Sequence, residues 1–299
     1  MRSKILEDLS LSNISKRQWK SEPAYPRGSV DSRISELGRT IEDDFATIRE
    51  KYATPKHPIV LAHGLLGFDE LKLGGRFFRG VQYWRGITDA LRANGIEVII
   101  ASVPASARIE ERAAKLSRDI AEKAGGKSVN IIAHSMGGLD ARYMISRLQP
   151  ERVNVLSLTT IASPHRGSSF ADFFINELGP DYLPRIYGWL SNRGIDTGAF
   201  KQLTQQYMKE DFNPNTPDAP GVRYFSYGAC VDPGILSPFK HSHIIVQKRE
   251  GPNDGLVSVE SAMWGTYKGT LIGVSHLDLI NWTNHLQFWA WKMAGIERK

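Results

Sequence analysis

The sequence lacks the features that mark several classes of protein. It holds one cysteine, Cys230, in 299 residues, so an intrachain disulfide and a cluster of thiolate metal ligands are both excluded. No stretch reaches the roughly 18 consecutive apolar residues of a membrane-spanning helix. The first twenty residues, which include Glu7 and Asp8, contain no sustained apolar segment of the kind found in secretory signals. We therefore expect an intracellular protein, cytoplasmic or mitochondrial, that is soluble or peripherally bound to membranes.

The charge balance argues against a nucleic-acid partner and leaves an anionic lipid surface as an alternative. The chain has 38 basic and 32 acidic residues, a formal net charge of +6. It has neither a dense basic cluster interleaved with aromatic residues nor zinc-finger spacing, so we expect no nucleic-acid partner. The basic excess is read first as a solvated surface, with peripheral attraction to an anionic lipid surface as the alternative. With 41% hydrophobic and 23% charged residues, the composition is that of a globular protein with a sizeable core.

The order of apolar and amphipathic segments predicts two parts in the chain. Residues 1–57 are polar and contain one stretch with helical spacing, SRISELGRTIEDDFATIREKY, so they are interpreted as an N-terminal extension with one helix. In residues 58–299, strand-sized apolar runs alternate with helix-sized stretches. This alternation is typical of βαβ units and predicts an α/β domain whose mostly parallel sheet has helices on both faces.

A serine in the middle of this domain has the setting of a nucleophile. Residues 131–138 read IIAHSMGG, and a strand, a sharp turn and a helix in this order form a nucleophile elbow around Ser135. The strained turn needs small residues two positions before and after the serine, where the chain has Ala133, in place of the commoner glycine, and Gly137. The amides that open the following helix would face an anion at Ser135. We predict the N–H of Met136 as one oxyanion donor.

A second oxyanion donor is predicted in the loop after an earlier apolar run. The segment LAHGLLGFD covers residues 61–69, where His63 and Gly64 shape a turn. From this turn the N–H of Leu65 can point at the same anion as the N–H of Met136. An ordinary turn at the end of a strand is the alternative interpretation.

A serine hydroxyl needs a general base, and in folds with such an elbow the chain order is serine, acid, histidine. His276 follows the strand-like run GTLIGVS near the C-terminus and is predicted as the base. The other histidines after the elbow are given packing or surface roles. They are His165 in the turn SPHRGS, His241 and His243 before an apolar run, and His285 in an aromatic helical stretch.

The acid must orient the imidazole and stabilise its charged form. Asp254 lies in the turn GPNDGLV after the run HIIVQ, where a carboxylate can reach a neighbouring loop. Asp278 is two residues beyond the base and would face away from it, and Asp232 lies one strand too early. We therefore predict Asp254 as the acid.

Five segments in this order, VLAHGLLGFD, IIAHSMGGLDARY, TIASPHRGSSFADF, NDGLV and SHLDLINW, resemble the triacylglycerol lipases of the α/β-hydrolase superfamily. The blocks IEERA, SLTTI, SYG, WGTYKGTL and HLDLINW are similar to fungal mitochondrial triacylglycerol lipases, and the bacterial lipases are a more distant likeness. The resemblance spans residues 58–292. It implies the α/β-hydrolase fold, Ser135, Asp254 and His276 as a catalytic triad, and a mitochondrial location.

The resemblance also raises the question of calcium. Bacterial lipases bind a structural calcium with two aspartates near the catalytic histidine, and Asp232 and Asp278 match those positions. Calcium prefers such oxygen ligands, but this chain lacks the cysteine pair of the secreted members. We expect that no cofactor is required, with structural calcium as the open alternative.

The predicted activity is hydrolysis of acylglycerol esters through an acyl-enzyme. A phospholipase or a lipid acyltransferase would use the same triad and remains the main alternative. A non-catalytic binding protein would be expected to have lost one triad member, and all three residues are present.

Residues 168–220 separate two predicted parts of the sheet and contain the apolar segment FADFFINELGPDYLPRIYGWL. This apolar content exceeds what a solvated loop needs, so a cap or lid that opens at a lipid surface is predicted here. The alternative is that these residues simply cover the sheet.

Overall fold

The computed structural model describes residues 38–41, 53–65, 70–71, 81–84, 86–177, 198–234 and 237–281. Within these residues, seven strands pair in the order β1-β9-β8-β7-β6-β2-β5, and every neighbouring pair is parallel. The prediction of a mostly parallel sheet is therefore confirmed. The seven strands are β1 (Thr40–Ile41), β2 (Ile59–Ala62), β5 (Val98–Ile100), β6 (Val129–His134), β7 (Val155–Ile161), β8 (Arg223–Cys230) and β9 (Thr266–Ile272). An antiparallel pair, β3 (Glu70–Leu71) and β4 (Val81–Gln82), is separate from this sheet.

The described helices lie between or after these strands. The longer ones are α1 (Ile87–Ala93), α2 (Ile109–Lys123), α3 (Gly137–Tyr143) and α8 (Lys240–Arg249). The short ones are α4 (Ser169–Asp172), α5 (Gly198–Lys201), α6 (Gln205–Tyr207), α7 (Asn213–Asn215) and α9 (Val259–Ala262). Wider π-helical turns extend three of them, at Met144–Leu148, Phe173–Glu177 and Met208–Phe212. A 3₁₀ turn at Asp278–Ile280 follows β9.

The helices cover both faces of the sheet because successive side chains of a strand point in opposite directions. In β2, Val60 and Ala62 pack in one core with most of the apolar stripe of α2, whereas Ile59 and Leu61 pack in another core with α1 and the 3₁₀ turn. The stripe of α2 arises from apolar residues three or four positions apart, which lie on one side of a helix. They are Ile109, Ala113, Leu116 and Ile120, and all are buried.

The prediction of a helix in the N-terminal extension is wrong at residues Thr40–Ile41. This pair forms β1, which lies parallel to β9 at the edge of the main sheet. The close approach depends on Gly269, because a Cβ at that position would lie 2.6 Å from the carbonyl oxygen of Arg39. That carbonyl accepts the N–H of Thr270 at 2.9 Å. The rest of the predicted helix lies outside the described residues.

The interpretation of Asp232 as one strand too early is also wrong. The run HIIVQ belongs to α8, so among the described residues no strand lies between β8 and β9. Ser242, His243 and Val246 are the buried residues of this helix, and their spacing of one and four positions is helical. Asp232 and Asp254 therefore both follow the same strand.

The insertion predicted at residues 168–220 lies between β7 and β8, and its two described ends meet. The N–H of Ser168 donates to the carbonyl of Leu203 at 2.9 Å. A Cβ at Gly167 would lie 2.6 Å from the Cα of Gln205, whose own N–H donates to the carboxylate of Asp172. Residues 178–197 lie outside the described part. Among the described helices, none is long and apolar enough to cross a membrane.

The contact between α3 and β7 predicts a stability effect at Gly138. A Cβ there would collide with Ser163 and lie 2.8 Å from Cγ2 of Thr160. We expect Gly138→Ala to lower the free energy of unfolding by about 1–3 kcal/mol, the usual cost of overpacking, measured by urea denaturation. Gly234→Ala is the matched control because nothing lies within 4 Å of its Cβ position. A stabilised Gly138→Ala protein would contradict the packing argument.

Candidate active site

The turn between β6 and α3 holds Ser135 in a backbone conformation that side chains rarely adopt. Its φ is 55°, in the left-handed region, where a non-glycine residue is uncommon. The N–H of Ser135 donates to the carbonyl of Ile161 at 3.0 Å, and its own carbonyl accepts the N–H of Gly138 at 3.1 Å. A Cβ at Gly137 would lie 2.7 Å from the carbonyl oxygens of Ala62 and His63. The serine hydroxyl is therefore presented on a turn that two neighbouring segments fix.

Ser135, His276 and Asp254 form one chain of hydrogen bonds. The Oγ of Ser135 lies 2.9 Å from Nε2 of His276, and Nδ1 of His276 lies 2.6 Å from Oδ2 of Asp254. A proton on Nδ1, held by the carboxylate, leaves Nε2 as an acceptor for the serine hydroxyl. All three residues lie in loops beyond the carboxyl ends of strands, where parallel sheets usually carry their sites. The structure thus brings together the three residues that the sequence singled out.

Asp254 is buried and held by its own turn. Its Oδ1 accepts the N–H groups of Leu256 and Val257 at 3.0 and 2.9 Å, which leaves Oδ2 for the imidazole. The carbonyl of Asp254 also accepts the N–H of His276 at 2.9 Å. The carboxylate is therefore oriented by backbone donors on one side and bonds the base on the other.

The turn is tied to the loop that begins the insertion. The carboxylate of Glu250 accepts the N–H of Ser169 and the hydroxyl of Ser258, both at 2.6 Å. The hydroxyl of Ser168 donates to the carbonyl of Leu256 at 2.6 Å. The first residues of the insertion and the acid turn therefore form one connected unit.

The loop after β2 passes directly over the serine. A Cβ at Gly64 would lie 2.7 Å from Cβ of Ser135 and 3.1 Å from its Oγ, so only glycine allows this approach. The N–H of Gly64 donates to the hydroxyl of Tyr83 at 3.1 Å. Because the Gly64 amide is engaged, the next amide in the loop that could face the serine is that of Leu65. Leu65 lines the same cavity as Ser135. Met136 follows Ser135 directly and is the N-cap of α3.

Tyr83 connects this loop to the residue before the serine. Its hydroxyl accepts from Gly64 and donates to Nδ1 of His134 at 2.6 Å. Burial raises the pKa of Tyr83, so the phenol stays protonated and can donate. Burial and the adjacent His276 ring hold the pKa of His134 well below its ordinary value. His134 is therefore neutral and, at a ring distance of 4.6 Å from His276, adds no positive charge beside it.

Arg112 joins the same loop to the helix that follows the serine. Its guanidinium donates to the carboxylate of Asp140 at 2.9 Å and to the carbonyl of His63 at 2.8 Å, and it also bonds the carbonyl of Pro104. Arg112 and Asp140 are both fully buried. One side chain therefore fixes the backbone just before Gly64 and Leu65 relative to α3.

Arg112 and Tyr83 are not among the site residues predicted from the sequence. A signal for Arg112 was present, because a cation at position 112 lies within the apolar stripe formed by Ile109, Ala113 and Leu116. A lysine or arginine on the buried side of a helix needs a partner, so its position alone predicts an ion pair. No comparable signal in the sequence marks Tyr83.

A cavity of about 350 Å³ opens at Ser135 and His276. Its wall is largely apolar. It includes Phe170 and Phe200 from the insertion, Phe239 before α8 and Leu256 after Asp254. An apolar cavity with a few polar groups at one point is the usual form of a small-molecule site.

The other histidines that follow the elbow are not members of this chain of hydrogen bonds where the structure describes them. His165 is buried, lies 2.9 Å from Oγ1 of Thr160 through Nε2, and stacks on Trp264. His243 lies in α8 with its ring largely buried, and His241 is exposed on the same helix. His285 lies outside the described residues.

The two calcium candidates, Asp232 and Asp278, have different surroundings. Oδ2 of Asp278 accepts the N–H of Ser275 at 2.9 Å, so this carboxylate shapes the loop that carries His276. Asp232 is exposed. Within the ranges that the structure describes, no three His, Cys, Asp or Glu side chains gather as metal ligands.

The buried histidine in the loop over the serine gives the fold a dependence on pH. Nε2 of His63 accepts the N–H of Val103 at 3.3 Å and Nδ1 lies 3.0 Å from the carbonyl of Gly64, an arrangement for the neutral ring. Burial, helped by the nearby Arg112 charge, lowers the pKa of His63 to about 4. The unfolded chain binds this proton near pH 6.5, so the contribution of His63 is complete above that pH and decreases as pH falls toward 4.

We expect the free energy of unfolding to fall by about 3 kcal/mol from His63 alone between pH 7 and pH 4. His63→Asn removes the titration while keeping a donor for the carbonyl of Gly64. Urea midpoints should therefore change less with pH in His63→Asn than in the unmodified protein. Equal pH dependence of the two proteins would show that His63 does not carry the effect.

Comparison with known proteins identifies the family of this chain. The family described as alpha/beta hydrolase fold matches residues 57–215. The chain is 37% identical over 289 residues to triacylglycerol lipase 2 of Saccharomyces cerevisiae, covering 82% of this chain and 86% of that protein. It is 28% identical over 304 residues to a triacylglycerol lipase of Burkholderia plantarii, with 79% and 82% covered.

Solved structures agree with this assignment at the level of the fold. A Bacillus licheniformis lipase superposes with a TM-score of 0.60 at 22% identity, over 83% of this chain and 95% of that one. A Staphylococcus hyicus lipase gives a TM-score of 0.59 at 20% identity, over 83% and 100%. The chain belongs to the α/β-hydrolase fold family.

Proposed function

We propose that this protein is a serine hydrolase that cleaves carboxylic esters of acylglycerols, a triacylglycerol lipase. The observation that carries the proposal is the hydrogen-bonded chain from Ser135 through His276 to Asp254 at the opening of an apolar cavity. The yeast relative at 37% identity is named a triacylglycerol lipase, which supports acylglycerols as the substrate class.

In the proposed mechanism, Ser135 is the nucleophile. His276 Nε2, 2.9 Å from Oγ, accepts the hydroxyl proton as Oγ attacks the ester carbonyl carbon, and Asp254 stabilises the imidazolium that forms. The carbonyl oxygen becomes an oxyanion, and the backbone N–H groups of Leu65 and Met136 donate to it. These donors are fixed before substrate binds, because Gly64 and Gly137 hold the loop and the elbow in contact.

Collapse of the tetrahedral intermediate breaks the bond to the alcohol oxygen. His276 returns its proton to that oxygen, the alcohol leaves and the acyl group remains on Ser135. A water molecule then attacks the acyl carbon as His276 accepts its proton, and a second collapse releases the fatty acid and regenerates the hydroxyl. The reaction consumes one ester and one water molecule and releases one alcohol and one acid.

The cavity wall supports a lipid substrate. Its side chains are mostly aliphatic and aromatic, so an acyl chain that enters would leave water without stranding a polar group. The insertion contributes Phe170, Phe200 and Leu203 to this wall, as a lid over the site would. Met208 and Phe212, from the same insertion, cover the fold instead, because they are buried against α2 and α3.

A reducing intracellular compartment, mitochondrial or cytoplasmic, is part of the proposal. Its support is that Cys230 is the single cysteine of the sequence, so the chain can form no intrachain disulfide.

Ser135→Ala should abolish release of fatty acid from emulsified long-chain triacylglycerol and from a soluble short-chain ester, a loss of at least about 10⁴-fold in kcat. Ser157→Ala, in which the lost hydroxyl bonds only Asn130 at the far end of the sheet, is the matched control. If the unmodified protein hydrolysed only the soluble ester, it would be an esterase and not a lipase. Activity only on phospholipid or only with an alcohol acceptor would favour the phospholipase or acyltransferase alternative, and full activity of Ser135→Ala would refute the mechanism.

Arg112 is a positioning residue in this mechanism, because it holds the backbone before Leu65. Arg112→Lys keeps the charge but not the fork that reaches Asp140 and His63 together. We expect kcat per folded molecule to fall about 10- to 100-fold, the effect of a small displacement of catalytic groups. Arg142→Lys is the control, since Arg142 is also buried but bonds Asn213 and Thr216 instead.

The active fraction of each arginine variant is measured by titration with a covalent serine inhibitor. If Arg142→Lys loses as much kcat per active molecule as Arg112→Lys, the effect is one of general destabilisation and the positioning role is wrong.

A further inference from the structure

The exposed side of α8 combines basic side chains with one large aliphatic residue. His241, Ile244 and Lys248 are exposed and lie three and four positions apart, so they share one side of the helix. Ile244 is 51% exposed, and among the described residues only it and Leu148 are large hydrophobic residues with such exposure. We call these three residues the α8 face.

The charge around the α8 face is positive. The helix carries Lys240, Lys248 and Arg249 and no acidic residue between positions 240 and 249. Lys240 and Lys248 are each four positions from Ile244 and share its side of the helix, whereas Arg249 donates to the carbonyl of Ser169 and lies near Asp172. Glu250, the residue after the helix, uses its two carboxylate oxygens to accept from Ser169 and Ser258. The nearest exposed carboxylate before the helix in the described chain is Asp232. The positive charge of α8 is therefore not neutralised within the helix.

The helix that carries this face also builds the cavity. Phe239, the N-cap of α8, lines the cavity that contains Ser135. Helix α8 packs against α4, which contributes Phe170 and Ala171 to the same wall. At about 1.5 Å of rise per residue, Ile244 lies roughly 7 Å along the helix from Phe239. A surface bound to the α8 face would therefore lie close to the cavity.

We propose that the α8 face docks the protein onto an anionic lipid surface. Lys248, with Lys240 on the same side of the helix, would bind phosphate and carboxylate groups of the lipid heads, and Ile244 would enter the interface between head groups and acyl chains. A single aliphatic side chain among cations fits this interface better than a protein partner, whose contact surface needs a larger apolar centre. The inference rests on the proposed function, which is why this protein would encounter a lipid surface. Binding to that surface requires no hydrolysis.

The test measures binding to vesicles of phosphatidylcholine alone and of phosphatidylcholine with 30% phosphatidylserine, a composition we choose for its charge. All proteins carry Ser135→Ala so that no lipid is hydrolysed. We expect sedimentation with the anionic vesicles only, weakened by salt. Lys248→Glu should weaken this binding about tenfold or more, and Ile244→Ser about three- to tenfold.

Matched controls lie at the opposite end of the strands, before the start of β7. Arg152→Glu also replaces an exposed basic residue by an acidic one, and Leu148→Ser also replaces an exposed aliphatic residue by serine. Both should bind like the parent. Equal loss in the controls, unchanged binding in Lys248→Glu and Ile244→Ser, or no binding of the parent to anionic vesicles would each overturn the proposal.

Two further measurements separate this inference from the proposed function and from self-association. With Ser135 restored, Lys248→Glu and Ile244→Ser should hydrolyse a soluble ester at the unmodified rate, so a failure of docking leaves that assay unchanged. A protein that bound vesicles without hydrolysing any ester would instead refute the function and keep the docking surface. If Ile244→Ser converts a dimer to a monomer in sedimentation equilibrium, the face binds a second copy of the chain and the lipid proposal is wrong.

Discussion

The contact between the loop after β2 and the turn after β6 is the constraint on which the site depends. At Gly64 and Gly137 a single added carbon would come within 2.7 Å of the opposite segment. Because neither position carries a side chain, the loop that contains Leu65 can lie in contact with the turn at Ser135 and the start of α3. The geometry around Ser135 is therefore set as much by backbone approach as by the side chains of Ser135, His276 and Asp254, because a displaced loop would leave the serine and histidine in place without the proposed Leu65 donor.

A buried ion pair maintains that contact. Burying a charged pair is expensive and contributes little net stability, and burial raises the pKa of Asp140 to about 6 against the opposing effect of Arg112. Arg112 nevertheless spans three segments, reaching α3, the loop after β2 and the carbonyl of Pro104 after β5. Hydrophobic side chains of similar volume could fill the space, but they could not bind two carbonyls and a carboxylate at fixed angles. The pair is therefore better explained by the geometry it imposes than by stability.

Much of this could be predicted from the sequence, and the limits have physical causes. Ser135, Asp254 and His276 stand in motifs whose local order predicts strand, turn and loop, and these features do not depend on distant contacts. Thr40–Ile41 was assigned to a helix because a two-residue edge strand has no periodicity of its own and forms only where Gly269 admits the backbone of Arg39. The run HIIVQ of α8 cannot be told from a strand in the sequence, because a short apolar run has the same composition in either structure. The role of Tyr83 arises from hydrogen bonds to residues 19 and 51 positions away, which no local pattern encodes.

The junction of the insertion has a consequence for how this fold can diversify. Because Ser168 bonds Leu203 and Asp172 bonds the amide of Gln205, residues 168–172 and 203–205 of the insertion lie side by side. A segment with adjacent ends can lengthen, shorten or be exchanged at little cost in loop-closure entropy, while β7 and β8 keep their register. The residues between these two contacts can therefore change while Ser168 and Ser169 keep their bonds to the turn that carries Asp254, so the cavity wall can vary without a change around that carboxylate.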